Sequence, residues 1–310
     1  MKLHNTLTIL NPDLAHLVRS FHHSLRFADS KEREIYWGHL STTFRNMVNL
    51  KCLTVYFGSS TYRVPLMTTI FRGCKFQLEE FRWTRSGFDL GIEDTIEDDK
   101  SSIEFLSTQR EIRRLGISMP NWNEEVSPTL CPQLEMLEGD GSTIQVFLRG
   151  RSTITELCWA PEVHDPHYAS LDSCATELAF VRILSLGGYY PRPALGLLTP
   201  HLTRLEELCL SGWGPRNVDL ITELEGITSL QKLRVFAWSP GRFMHAGVEA
   251  ELRAQGTQRG LVERWFRVMP MLCSACFCMD RTMDSSSYLL WKRGEVEPVV
   301  TDRIIMAGRR

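Results

Sequence analysis

Apolar side chains recur along the chain in one phrase, apolar-x-x-apolar-x-apolar. It reads LKCLTV from Leu50, LEEFRW from Leu78, IRRLGI from Ile112, LEMLEG from Leu134, ITELCW from Ile154, VRILSL from Val181, LEELCL from Leu205 and LQKLRV from Leu230, with a degraded LCSACF from Leu272. Alternation at the end of the phrase is the mark of a short strand with one buried face, so each copy predicts one strand. Between the copies the apolar spacing turns helical. SKEREIYWGHLSTTFRNMV opens on Ser30, an N-capping residue type, and carries Ile35, Leu40, Phe44 and Met47 three to five places apart. SSIEFLSTQ, STIQVFLRG, PALGLL and NVDLITELEGI are shorter versions, and HAGVEAELRAQGTQRGLVERWFRVMP has room for one or two helices. Before the first copy, Phe21, His23, Leu25 and Phe27 alternate as a further strand near the N-terminal edge.

The copies start 20 to 42 residues apart, mostly within the 20–29 interval of leucine-rich repeats. A strand followed by a helical return cannot bury its own apolar face, and stacking successive copies does so. The expected fold is therefore α/β, a leucine-rich-repeat solenoid shaped as a curved horseshoe, with a parallel concave sheet and an irregular helical convex side. Residues 1–49 are expected to cap it with a strand and a helix, residues 50–280 to form the repeats, and residues 281–310 to fold back as a tail through Tyr288, Leu290 and Trp291.

In each copy the third, fifth and seventh places face away from the core. They offer Arg82, Arg114, Glu138, Glu156, Glu207, Lys232 and Arg234 as a mixed charged face suited to binding another protein, with Glu138 beside Glu156 as a small acidic patch. A second candidate is a rim of arginines. LGGYYPRP, LSGWGPRN and VFAWSPGR each place an aromatic ring before a proline and an arginine, with Tyr189, Trp213 and Trp238 expected to stack inward and Arg192, Arg216 and Arg242 outward.

Composition narrows the chemistry. Lysine plus arginine number 35 against 37 aspartates and glutamates, so no whole-molecule field draws the chain to nucleic acid or to an anionic membrane. No run of 18 apolar residues predicts a membrane span, and MKLHNTLTILNPDLAHL is too interrupted for a signal peptide. Nine cysteines, an odd number scattered mostly singly, fit reduced thiols in a cytoplasmic or nuclear protein. CSACFC lacks the second cysteine pair of a structural zinc site, Cys158 with His164 and His167 is interrupted by prolines, and GDGST lacks the lysine of a phosphate loop and reads as a tight strand-to-helix turn. The acidic run from Ile92 to Lys100 reads as a mobile surface insertion. No cofactor, metal or catalytic group is expected, and the chain is not expected to be an enzyme.

NPDLAHLVRSFHHSLRF, IEFLSTQREIRRLGI, CPQLEMLEGDGSTIQVFLRGRSTITELCW and LTPHLTRLEELCLSGW resemble the leucine-rich-repeat part of the large F-box protein families of mushroom-forming fungi, over most of residues 14–280. The resemblance implies that the repeats hold a protein substrate for a cullin ubiquitin ligase. In that family an N-terminal F-box docks a Skp-type adaptor, and MKLHNTLTIL resembles the segment that follows it. The adaptor is thus expected as a partner only through an F-box upstream. The other expectation is a repeat scaffold or regulatory interaction protein with no ubiquitin link.

Overall fold

The computed structural model describes residues 6–25, 30–57, 65–85, 96–119, 122, 124–161, 173–188, 193–212, 220–240, 255–281 and 286–302. The chain divides into two compact units, residues 1–147 and 148–310.

In the first unit two short helical turns, Thr6–Leu10 and Pro12–Leu17, lead into β1 (Ser20–Leu25), α1 (Ser30–Asn46), β2 (Cys52–Phe57), α2 (Met67–Ile70), β3 (Glu80–Arg85), α3 (Ile96–Ser107), β4 (Arg114–Ile117) and β5 (Met136–Gly139). These five strands lie side by side in chain order, and the pairs β1·β2, β2·β3, β3·β4 and β4·β5 are parallel. Helix α4 (Gly141–Leu148) follows and ends at the unit boundary. The strands bury alternate side chains against the helices: Leu53, Val55, Phe81 and Leu115 are fully buried. Aromatic rings fill the space behind them, with Phe71 stacked on Phe105 at 4.3 Å between centroids and both touching Phe81 edge-on. Burying side chains of this size contributes about 1.5–3 kcal/mol each, far more than any surface pair.

The second unit holds β6 (Glu156–Trp159), α5 (Ala175–Leu178), β7 (Ile183–Gly188), α6 (Leu195–Leu198), β8 (Glu207–Gly212), α7 (Leu220–Glu225), β9 (Val235–Pro240), α8 (Gln255–Val268), β10 (Ser274–Arg281), β11 (Ser286–Lys292) and β12 (Val299–Thr301). Strands β6 to β10 are parallel neighbours, whereas β11 returns antiparallel to β10 and β12 antiparallel to β11. Trp265 of α8 packs on Phe236 and Phe277, so the helix covers the face that carries these rings. The fold is α/β with a mostly parallel sheet in each unit.

One turn geometry recurs before the strands. The N–H of Leu50, Leu134, Val181, Leu205, Leu233 and Leu272 donates to the carbonyl three residues earlier, on Met47, Cys131, Leu178, Leu202, Leu230 and Met269. Just beyond, one carbonyl takes two N–H groups from the next strand's approach. Arg19, Lys51, Glu79 and Arg113 do this in the first unit, and Thr155, Arg182, Glu206 and Arg234 in the second. These carbonyls would otherwise be unpaired at the strand mouths, a costly state once buried.

The register of β9 corrects one sequence expectation. Leu208 stands opposite Phe236 and Leu210 opposite Trp238, so the repeat begins at Leu233 and not at Leu230. Leu230 is the turn residue three places ahead, equivalent to Leu202; because both places are apolar, the phrase fits at either. Trp238 is accordingly a strand core residue, 2% exposed, and Phe236, expected to face outward, is fully buried. Tyr189, Trp213, Arg192, Arg216, Arg242, His164 and His167 lie outside the described residues. The acidic run also differs from expectation: Glu97, Asp98 and Asp99 form the first turn of α3, where negative charge complements the helix dipole, and Asp99 is buried.

At the far end, Arg293 follows β11 and its guanidinium reaches back to the end of α8. It donates to the carbonyls of Phe266, Met269 and Leu272, the last at 2.8 Å, and lies over the Phe266 ring at 5.1 Å. Helix ends leave their last carbonyls unpaired, and here one cation satisfies three acceptors.

Candidate interaction face of the sheet

In the first unit the side chains pointing away from the helices form rows across the strands. Parallel pairing sets Ser20, Cys52, Glu80, Arg114 and Met136 in one row; His22, Thr54, Arg82, Gly116 and Glu138 in the next; and Ser24, Tyr56 and Thr84 in a third. This is the face expected from the alternation, and it places Arg82, Arg114 and Glu138 together.

Arg82 organises the middle row. Its Nε lies 3.0 Å from Glu80 and its Nη1 3.2 Å from Glu138, two strands away. The side chain crosses β4 at Gly116, where a Cβ would sit 3.0 Å from Arg82 Cγ and 3.4 Å from the Glu138 carboxylate, so the missing side chain leaves the path open. Burial alone would lower the Arg82 pKa; Glu138 and Glu80, with the hydrogen bond to Tyr56, outweigh it and hold the guanidinium above its usual range. The charges expected to meet a partner thus neutralise one another within the face. Beside them the Cys52 thiol is pushed up by burial and then by Glu80 and Glu79, which keeps it protonated.

The same rows contain groups that the sequence reading passed over. Tyr56 is 44% exposed and stands in the third of these rows. Its neighbours directly across the strands, Ser24 and Thr84, are both small, and Arg82 from the adjacent row donates to its hydroxyl. Thr54 is 2% exposed, and the hydroxyls of Thr54 and Thr84 are buried without a hydrogen-bond partner. The signal was present: the seventh place of the repeat at Leu50 is Tyr56, by the rule that gave Arg82 and Thr84 in the next copy.

Asp140, at the end of the β5 row, is turned to a structural task. Its carboxylate accepts the Thr143 N–H at 2.7 Å and the Met119 N–H at 3.2 Å and pairs with the Ser118 hydroxyl, capping α4. Gly139 is required just before it, since a Cβ there would lie 2.6 Å from the Ile117 carbonyl oxygen. GDGST is therefore a strand-to-helix turn.

The corresponding face of the second unit is different. Glu156 is half-buried, but Glu207 is 7% exposed and its carboxylate is withdrawn from the surface. Cys209, Ala237, Cys276, Cys278, Tyr288 and Leu290 form a buried apolar cluster on that face, with Ile183 packed against it. Lys232 and Arg234 are not on the face, because the true register puts them before β9. Arg234 holds the place that Glu206 and Arg182 hold in the preceding repeats. Those two form a bidentate pair at 2.8 and 3.0 Å, which holds Glu206 below and Arg182 above their ordinary pKa ranges.

Cys276 and Cys278 share this buried face, whereas Cys273 is exposed outside it, and among the described residues no three histidine, cysteine or acidic side chains converge on a metal-sized space. Among the same residues, no helix is long and apolar enough to cross a membrane. Set against models of known protein families and against curated proteins, the sequence matches none.

Proposed function

We propose that the chain is a leucine-rich-repeat module that binds another protein through the sheet face, as the substrate-recognition part of an F-box-type subunit of a cullin ubiquitin ligase. The observation that carries the repeat reading is the recurrence of one turn before six of the strands, with Leu50, Leu134, Val181, Leu205, Leu233 and Leu272 in equivalent places, and of one doubly used carbonyl at eight strand mouths. The sequence phrases that resemble the fungal F-box families supply the ubiquitin part. Binding by the face rests on its mixture of hydrogen-bonding and aromatic groups on a rigid sheet, a setting suited to recognition by shape.

The test is quantitative co-purification with the gene's full product. A Skp-type adaptor and a cullin recovered with it, together with captured proteins that accumulate when it is depleted, would support the ligase reading. Captured proteins whose levels ignore depletion, with no adaptor recovered, would replace it with a repeat scaffold that has no ubiquitin link.

A further inference from the structure

We infer that the partner is gripped at Tyr56 and that it presents an uncharged, extended polypeptide segment to the first unit's face. This rests on the protein-binding reading and goes beyond it by assigning the anchor and the chemistry of what meets it. Three observations lead there. The ring of Tyr56 is 44% exposed, and a large amphipathic ring of this kind is among the side chains most often found at the energetic centre of an interface. Ser24 and Thr84, directly across from it, are small and leave a low shelf on each neighbouring strand. The hydroxyls of Thr84, in the same row, and of Thr54, in the row beside it, have no hydrogen-bond partner.

Charge decides the partner's character. Arg82, the cation beside Tyr56, is already held between Glu80 and Glu138, so an acidic segment would have to break two ion pairs and a basic one would meet carboxylates already taken. A segment without net charge loses nothing on arrival and buries apolar area on the ring. The second unit offers no equivalent, since Glu207, Cys209, Ala237 and Cys276 on its face are buried.

The experiment is selection of a phage-displayed library of random dodecapeptides on the immobilised full chain, followed by affinity measurement with the enriched peptides made synthetically. Enriched peptides should carry net charge near zero, and their affinity should change less than about threefold between 0.05 and 0.5 M salt. Tyr56→Ala should weaken them about thirtyfold or more, as for a central anchor. Ser24→Trp, which fills one shelf while leaving Tyr56 in place, should weaken them similarly, and Lys232→Glu, off the face, should not. Thermal unfolding of each variant separates loss of the anchor from loss of the fold. Peptides that bind Tyr56→Ala as tightly as the parent, or that are strongly charged and released by salt, would overturn the assignment while leaving protein binding intact. No enrichment at all would overturn both.

Discussion

Removing the Arg293 side chain tests how the second unit closes. Its guanidinium donates to three carbonyls at and just beyond the end of α8, two of these bonds in part-buried surroundings, and stacks on Phe266. A hydrogen bond from a charged group is worth about 1.5–3 kcal/mol, but three bonds from one group share a single desolvation cost and do not add. With the Leu272 carbonyl losing this donor and the Met269 carbonyl keeping only the Leu272 N–H, Arg293→Ala should lower the unfolding free energy by about 3 kcal/mol, and for a unit of this size the midpoint should fall by about 6–12 °C. Arg293→Lys is the discriminating control. A lysine carries the charge but not the planar fork, so it should restore no more than about half of the loss. Urea unfolding followed by tryptophan fluorescence, with calorimetry on the same samples, reads both. A loss below about 0.5 kcal/mol for the alanine variant, or full stability for the lysine one, would show that the three-carbonyl clasp does not hold the helix end.

Four further outcomes follow from the geometry. Asp140→Ala should cost about 2–4 kcal/mol by urea titration, because it removes the α4 cap and a partner of the buried Met119 N–H together, and Asp140→Asn, which keeps an acceptor, should cost less. Gly116→Val should displace Arg82 from Glu138; a double-mutant cycle of Arg82→Met with Glu138→Gln should show a coupling in the parent that is absent when Gly116→Val is already present. Burial lowers the His23 pKa from 6.5, so the unfolded chain takes up that proton more readily; stability should decline as pH falls below about 6.5, and His23→Gln should flatten that slope. In native protein at pH 8 an aromatic disulfide reagent should modify exposed Cys273 first and leave Cys131, Cys174, Cys209, Cys276 and Cys278 unreacted, with Cys74 slow because burial pushes its thiol to about 12, whereas denatured chain should titrate nine thiols.

The strands were readable because a half-buried strand writes its geometry directly as alternation. Phe81 and Trp83, Leu115 and Ile117, Leu157 and Trp159 are buried where the phrase places them, and Arg82, Gly116 and Cys158 point the other way. The slip at Leu230 has a physical origin: the turn residue three places before each strand is itself apolar, so a spacing rule has two solutions, and hydrogen bonding, which the sequence does not display, chooses between them. Whether a face position is accessible was equally hidden. Glu156 and Glu207 occupy the same place two repeats apart, with Ile183 between them, yet one is half-buried and the other withdrawn, because exposure depends on what the rest of the chain packs beside each position. The Arg293 clasp left no signal, since it joins residues more than 20 apart through backbone carbonyls that every residue possesses.

The doubly used carbonyl that recurs at four strand mouths in each unit also bears on how such a chain can change length. Each rung satisfies its successor through main-chain groups in the same relative position, whatever side chain is attached: arginine, lysine, glutamate and threonine all serve. Recombination that drops or duplicates one whole rung, cut at matching points, would therefore join old donors to equivalent acceptors and strand none of them. Additions between a strand's end and its return helix would leave that bonding untouched, whereas a single-residue insertion between Leu205 and Glu207 would break it.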